Sequence, residues 1–306
     1  MKVFLTGGTG AIGGYAIPAL LAAGHEVTAL SRSFEKSTRL AAAGARPIEV
    51  SLFDVEELTD AVNGHDAVAN LATAIPSPAR FAFARSWRNN ARIRSEGSTA
   101  VADAALAAGV PRLIQESISM VYPDSGSEWI DESVPLDVFP IVTSTPIAEA
   151  NAQRFTDAGG VGVVLRFGLF YGPGSEQSAQ MLRFARMHFG IRLGAAAGYF
   201  SSIHLADAAN AVVAALSIPA GTYNVVDDEP VTKTDYADAL SNAVGRKAWL
   251  TGPGRLSLLG GKNMSSVNRS LRVSNRAFRS ATDWTPQYSS VREGWAATAR
   301  EIAGSA

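Results

Sequence analysis

The stretch Thr6-Gly7-Gly8-Thr9-Gly10-Ala11-Ile12-Gly13-Gly14 has residue types and spacing suited to holding a pyrophosphate. It follows a short apolar run and opens an Ala-rich segment of helical period, the context in which a glycine motif is informative. Gly7 permits the tight turn, Gly10 lets the backbone approach the pyrophosphate, and Gly13 lets the helix pack on the strand. A helix starting here presents unpaired N–H groups and the positive end of its dipole to the phosphates. With Thr9, Ala11 and Ile12 these glycines form the predicted cofactor loop.

Such a loop needs a strand before it and a helix behind it, and the chain supplies that alternation repeatedly. Apolar runs at Lys2–Leu5, Glu26–Leu30, Arg46–Val50, Ala67–Leu71 and Leu113–Glu116 read as buried parallel strands. Between them Ala11–Ala23, Glu35–Ala43, Glu56–Val62 and Ile93–Ala108 read as helices. Gly24, Gly44, Gly64 and Gly109 close these helices, where the chain wants a residue tolerant of positive φ. Two further strands, Gly162–Arg166 and Thr222–Val226, flank a helix at Asp207–Leu216.

Repeated βα units of this length predict an α/β fold, a Rossmann-type doubly wound parallel sheet. The expected dinucleotide-binding domain covers 1–167 plus 201–227. A smaller C-terminal substrate lobe covers 168–200 plus 228–306 and includes an Arg/Asn/Ser-rich stretch at 262–280. The run from Arg85 to Arg94 is a basic, aromatic patch whose plainest reading is a solvated helix face.

Composition narrows the function classes. Of 306 residues, 47% are hydrophobic, enough for a large core. Lys plus Arg number 27 and Asp plus Glu 28, and a net charge of −1 argues against a nucleic-acid binder. The chain has no cysteine, which excludes disulfides, thiolate nucleophiles and Cys-ligated zinc. No His/Asp/Glu cluster has ligand spacing, so no metal is expected. The start of the chain lacks a signal-peptide pattern, and the most apolar window, Tyr15 to Gly24, is too short to span a bilayer. A soluble cytoplasmic protein, monomer or homodimer, acting on a small molecule and not at a membrane, is the expectation.

The Gly-x-x-Gly-x-x-Gly spacing resembles the short-chain dehydrogenase/reductase superfamily, and further segments resemble its extended, epimerase/dehydratase-like branch. Asn70-Leu71-Ala72 is similar to the end of the family's fourth strand, and Ser117 to Tyr122 to its Ser-Ser-x-x-Val-Tyr segment. Arg166 with Tyr171-Gly172-Pro173, His204 with Asp207, Tyr223-Asn224-Val225 and Arg272-Val273-Ser274-Asn275 resemble later family motifs. The resemblance implies that Leu71 and Ala72 lie against a dinucleotide.

Cofactor choice is read at the end of the second strand, where NAD-preferring members carry an acidic residue for the ribose hydroxyls. Here the residues are Ser31 and Arg32, with Lys36 a turn later. A guanidinium suits a 2′-phosphate, so NADP(H) is favoured over NAD(H). The third strand ends without the family's usual Asp, and the adenine contact falls to Ser51, Leu52 or backbone.

The family's chemistry rests on a Ser/Thr, a Tyr and a Lys, with Tyr and Lys at i and i+4 on one helix. Anchored on Glu149, the Tyr place falls on Ile141 and the Lys place on Thr145; anchored on Tyr122, the Ser/Thr place falls on Ile118. No lysine occurs between Ser117 and Glu149. The chain thus resembles an atypical member. Substitute groups near the expected nicotinamide are Ser117, Ser119, Tyr122, Thr143, Ser144 and Thr145, with Tyr122 the expected proton donor. Glu149 reads as a solvated or capping carboxylate, and His204 as helix-entry packing beside a capping Asp207.

Three functions remain open. One is an NADPH-dependent oxidoreductase acting on a small organic carbonyl or activated double bond. Another is a non-redox cyclase, dehydratase or isomerase on the same scaffold, and the third a non-catalytic NADP(H)-sensing binding protein. The intact glycine loop, Arg32 and the complete substrate lobe favour an enzyme over a sensor, and the oxidoreductase is the leading reading.

Overall fold

Seven strands align in one parallel sheet in the computed structural model, which describes residues 1–77, 80–81, 83–254 and 268–304. They are β1 (Lys2–Thr6), β2 (Glu26–Ser31), β3 (Arg46–Glu49), β4 (Ala67–Asn70), β5 (Arg112–Ile118), β7 (Val161–Phe167) and β12 (Gly221–Val225). Their order is β12-β7-β5-β4-β1-β2-β3. The expected strands are all present, with ends moved by a residue or two. Of the stretch 262–280, residues 262–267 lie outside the described residues.

The inner strands β1, β4, β5 and β7 are buried on both faces, which is why they read as nearly unbroken apolar runs, whereas the edge strand β3 is half-buried to exposed. On β1, Val3 and Leu5 pack against α1 (Gly13–Ala22) and α8 (Leu205–Ala214), while Phe4 faces α3 (Val55–Val62) and α5 (Ser98–Ala107). α2 (Phe34–Ala42) covers the first face through Leu40, and α6 (Thr145–Asp157) the second through Phe155.

The helix expected from Ile93 begins earlier. α4 (Arg88–Arg92) passes through a π turn at Ile93–Gly97 into α5. The extra residue per turn rotates the helix face at this point, a shift that apolar periodicity does not register.

Strand order reverses between β1 and β4, because β2 and β3 lie to one side and β5, β7 and β12 to the other. Ligands of open α/β sheets bind outside the carboxyl ends of the strands at such a reversal. A second apolar cluster, with Tyr171, Leu182, Tyr236, Leu240 and Trp295, sits beyond the sheet. It joins α7 (Glu176–Arg186), α9 (Lys233–Ala243) and the last helix, α11 (Val291–Gly304). The segment after β5 crosses to these later residues: β6 (Trp129–Ile130) pairs with β15 (Arg272–Val273), and Arg269 donates to the Tyr122 and Asp137 carbonyls.

Candidate functional site

The crevice where strand order reverses is built by the glycine loop. Gly7 has φ +73° and lies so close to the fourth strand that a Cβ would fall 2.5 Å from the Leu71 carbonyl oxygen. Only glycine meets both demands. Gly10 N–H donates to the Gly7 carbonyl at 2.9 Å and closes the turn. A Cβ on Gly13 would strike the Gly7 carbonyl and Gly8 backbone, so this glycine sets how closely the helix approaches the loop.

Gly10 and Ala11 are exposed, and a Cβ on Gly10 would meet only the Gly7 carbonyl. Ile12 stands at the N-cap of α1 and provides no side-chain capping bond; the Gly14 and Tyr15 N–H groups donate to the Gly10 and Ile12 carbonyls, which leaves those of Ala11 to Gly13 to a ligand or solvent. These features fit a nucleotide pyrophosphate. A groove of about 710 Å³ opens beside the loop, lined by Thr9, Gly10, Ala11, Tyr15 and Arg39 among others.

At the end of β2, Ser31 is buried and its hydroxyl donates to the Ser33 carbonyl at 3.0 Å, so its side chain serves the turn. Ser33 caps α2, accepting from the Lys36 N–H. Arg32 and Arg39 are exposed and Lys36 half-buried, and none of the three forms an ion pair among the described residues. The Lys36 ammonium is pushed below its usual value by burial, then by Arg32 and Arg39. Arg39, three residues after Lys36 on α2, was missed in the sequence; it lines the groove beside the glycine loop and bears on the Lys36 ammonium. Ser51 is exposed and its hydroxyl accepts from the Phe53 N–H; Leu52 is half-buried against Gly97. Leu71 is buried against Gly7, and Ala72 half-buried beyond it.

The four side chains expected to do chemistry lie together at the end of β5 and the start of α6, yet all are sealed. Ser117, Ser119, Tyr122 and Thr145 are at most 1% exposed. Ser117 donates to Glu149 Oε1 at 2.5 Å. Tyr122 donates to Asn224 Oδ1 at 2.9 Å and accepts from Arg166 Nη1 at 2.7 Å. Burial pushes the Tyr122 phenol up, against the opposing pull of Arg166. Tyr122, the expected proton donor, is thus fully buried with its hydroxyl occupied on both sides. Thr145 accepts from Arg94 Nη1 at 3.4 Å.

The Tyr and Lys places do not share a helix face. Ile141 lies in a 3₁₀ turn, Pro140–Val142, and α6 starts only at Thr145 because Pro146 suits a helix's first turn. Ile141 joins Trp87, Val121, Phe139 and Val142 in an apolar cluster, with Ile118 packed on its edge. The more accessible residues around the ends of β4 and β5 are Ala72, Thr73, Ala74, Ile118, Met120 and Thr143.

Two buried ion pairs went unseen in the sequence. Glu149, read as solvated or capping, meets Arg166 bidentately at 2.9 and 2.7 Å. Burial opposes the Arg166 charge, but Glu149 outweighs it and holds the guanidinium above its usual value. Arg94, in the π turn, pairs with Glu116 on β5 at 2.6 Å with both side chains 2% exposed. Burial pushes the Glu116 carboxyl up to about 7, against the lowering effect of Arg94.

His204 also differs from expectation. It is itself the cap of α8, accepting from Ala206 N–H at 3.2 Å, and burial lowers its pKa to about 4. Asp207 instead accepts from the Gln287 and Tyr288 N–H groups, tying a distant turn to the helix. Among the described residues no group of three or more His, Asp or Glu is placed to hold a metal. No described helix is long and apolar enough to cross a membrane.

A glycine-rich turn at the reversal point of a doubly wound sheet defines a dinucleotide-binding protein. The sequence profile of an NAD(P)H-binding family matches residues 7–149. A Streptomyces sp protein named 3-diazoavenalumate denitrifying reductase is 32% identical over 307 residues, covering 96% of this chain and 99% of its own. The human epimerase family protein SDR39U1 with NADPH superposes with TM-score 0.80 at 23% identity, over 98% of this chain and 99% of that one. The Thermus thermophilus UDP-glucose 4-epimerase with NAD gives 0.81 at 22% identity, over 100% of both chains. The chain belongs to the extended short-chain dehydrogenase/reductase superfamily, as an atypical member of oxidoreductase type.

Proposed function

We propose that this protein is an NADP(H)-dependent reductase that acts on a small organic acceptor, an activated carbonyl, double bond or comparable electrophile, without a tyrosine proton donor. The observation that carries the reading is the contrast within one site. The nucleotide loop is open beside three cations that form no ion pair among the described residues, while Ser117, Tyr122 and Thr145 are buried and bonded within the protein.

NADPH bound in this crevice supplies a hydride. The helix start would hold the pyrophosphate, with Gly10 leaving it room, and Arg32 with Lys36 and Arg39 would hold the 2′-phosphate. Ile118 and Met120 present apolar surface to the acceptor and keep water from it. With no lysine beside a tyrosine at this edge, and with burial outweighing the pull of Arg166 on the Tyr122 phenol, Tyr122 is a poor base and alcohol oxidation is disfavoured.

An acceptor that already carries positive charge, or a group that departs on its own, suits such a site. The name of the Streptomyces relative, a denitrifying reductase of a diazo compound, supports this direction. Replacing an arenediazonium's N₂ by hydride forms one C–H bond, breaks one C–N bond and needs no proton.

The test is a panel of acceptors followed at the nicotinamide absorbance band with purified protein, corrected for the uncatalysed reaction. NADPH consumption with arenediazonium salts or activated enones, and no NADP⁺ reduction with secondary alcohols or nucleotide sugars, is expected. Efficient alcohol oxidation would overturn the reading.

A further inference from the structure

Tyr15 stands half-buried in the first turn of α1, and its hydroxyl donates to the Pro173 carbonyl at 3.0 Å. Burial, then the nearby Glu301 carboxylate, pushes its phenol up to about 12, so the hydroxyl stays a donor near neutral pH. The turn that accepts this bond follows β8 (Leu169–Tyr171) and is fixed by its backbone. The Gly172 N–H donates to Ser178 Oγ on α7 at 3.1 Å. Gly172 has φ +145°, and a Cβ there would fall 3.1 Å from His204 Nε2 and 3.3 Å from the Leu205 Cβ, at the start of α8.

The same turn borders the glycine loop. Gly10, Ala11 and Tyr15 line the groove of about 710 Å³ together with Pro173 and Gly174 from the turn and Glu301 and Ile302 from α11. A ligand taken up by the free N–H groups at the start of α1 therefore shares its groove with segments far along the chain. Beside the groove an aromatic row connects α1 to α11. Ring centroids lie 6.5 Å apart for Tyr15 and His204, 5.3 Å for His204 and Tyr171, and 5.2 Å for Tyr171 and Trp295. A Cβ on Gly294 would collide with the Tyr171 ring, so α11 sits tight against it. Close-packed side chains pass a displacement on instead of absorbing it.

We propose that Tyr15 is a positioning residue that, through Pro173, holds the turn and α11 against the glycine loop, so that a nucleotide is gripped from both sides and its binding stabilises α11. This rests on the glycine loop as the nucleotide site. It adds a second wall to that site and does not depend on the reaction catalysed.

The experiment compares the wild type with Tyr15→Phe, which keeps the ring and removes the bond. Tyr288→Phe is the control, because Tyr288 packs on His204 at 4.4 Å but does not line the groove. Calorimetric titration with NADPH should give an affinity about three- to tenfold weaker for Tyr15→Phe, the range for one hydrogen bond, and unchanged for Tyr288→Phe. Hydrogen exchange read by mass spectrometry should show α11 protected when NADPH binds the wild type, and less protected in Tyr15→Phe.

A bond that only stabilises the fold would lower the melting temperature of nucleotide-free Tyr15→Phe and leave both nucleotide readouts as in the wild type. That result would overturn the proposal, as would wild-type protein that binds NADPH without protecting α11. Protein that binds neither NADPH nor NADH would overturn the nucleotide site along with it. Both readouts as expected, with no reductase turnover, would support the second wall and count against the reductase reading alone.

Discussion

Gly10 and Gly13 stand three residues apart in one loop and are glycine for different reasons. At Gly10 a Cβ would meet only the Gly7 carbonyl, at 3.1 Å, a contact that a small shift relieves, so Gly10→Val should fold with little loss of stability yet lose nucleotide affinity, because the branched side chain occupies the space proposed for the pyrophosphate. Thermal melting together with fluorescence titration of NADPH checks both halves. Gly13 has no such room, its Cβ meeting the Gly7 carbonyl. Gly13→Ala should therefore cost stability, about 1–3 kcal/mol for forced overpacking, read from denaturant unfolding. On the proposed reading, Arg32 sets the choice of nucleotide at the same scale. Arg32→Ala should remove roughly 1.5–3 kcal/mol of an NADPH-over-NADH preference, the range for hydrogen bonds to a charged group. Equal affinity of the wild type for the two nucleotides would sink the phosphate clamp.

Where α4 passes into α5, a π turn carries Arg94 into the interior, and β5 meets it with Glu116. Both side chains are desolvated, and Arg94 Nε and Glu116 Oε2 find no protein partner. Removing one member strands the other charge. Arg94→Met should then destabilise by about 3–5 kcal/mol, and Arg94→Met/Glu116→Leu should recover most of the loss, because a well-packed apolar pair replaces a buried ion pair at little cost. Urea unfolding of the single and double variants decides it. A double variant as unstable as the single one would mean that the pair stabilises the helix–strand contact in its own right.

The whole molecule is joined through a buried acid. Asp227 follows β12, accepts from the Tyr171 hydroxyl at 3.3 Å, and lies where the sheet meets the cluster of Tyr236 and Trp295. Burial, then the nearby Asp207, raises its pKa well above the ordinary 3.8. A carboxyl whose folded pKa exceeds its unfolded value stabilises the fold most below the unfolded value, and that contribution is lost as pH rises through the folded one. Asp227→Asn removes the titration. The stability difference between variant and wild type should thus shift in favour of the variant as pH climbs from the aspartate range toward neutrality and above. Melting curves across pH with both proteins test this, and a difference that does not change with pH would refute the protonated assignment.

What the residues determined by themselves was whatever depends on near neighbours in the chain. The seven apolar runs and the glycine loop state strand, turn and helix start within a few residues, because a buried parallel strand and a phosphate-binding turn are local patterns. Arg32 and Lys36 are visible for the same reason. The environment of the hydroxyls after β5 was not readable in this way. Ser117, Tyr122 and Thr145 look like accessible hydroxyls, and only folding brings Glu149, Arg166, Asn224 and Arg94 against them from distant segments. A π turn rotated Arg94 out of the expected helical phase, and Pro146 started α6 one turn too late for Ile141 to share its face. Spacing along the chain names which groups are present. Whether a hydroxyl faces a substrate or a buried carboxylate is set by packing between elements that the chain places far apart.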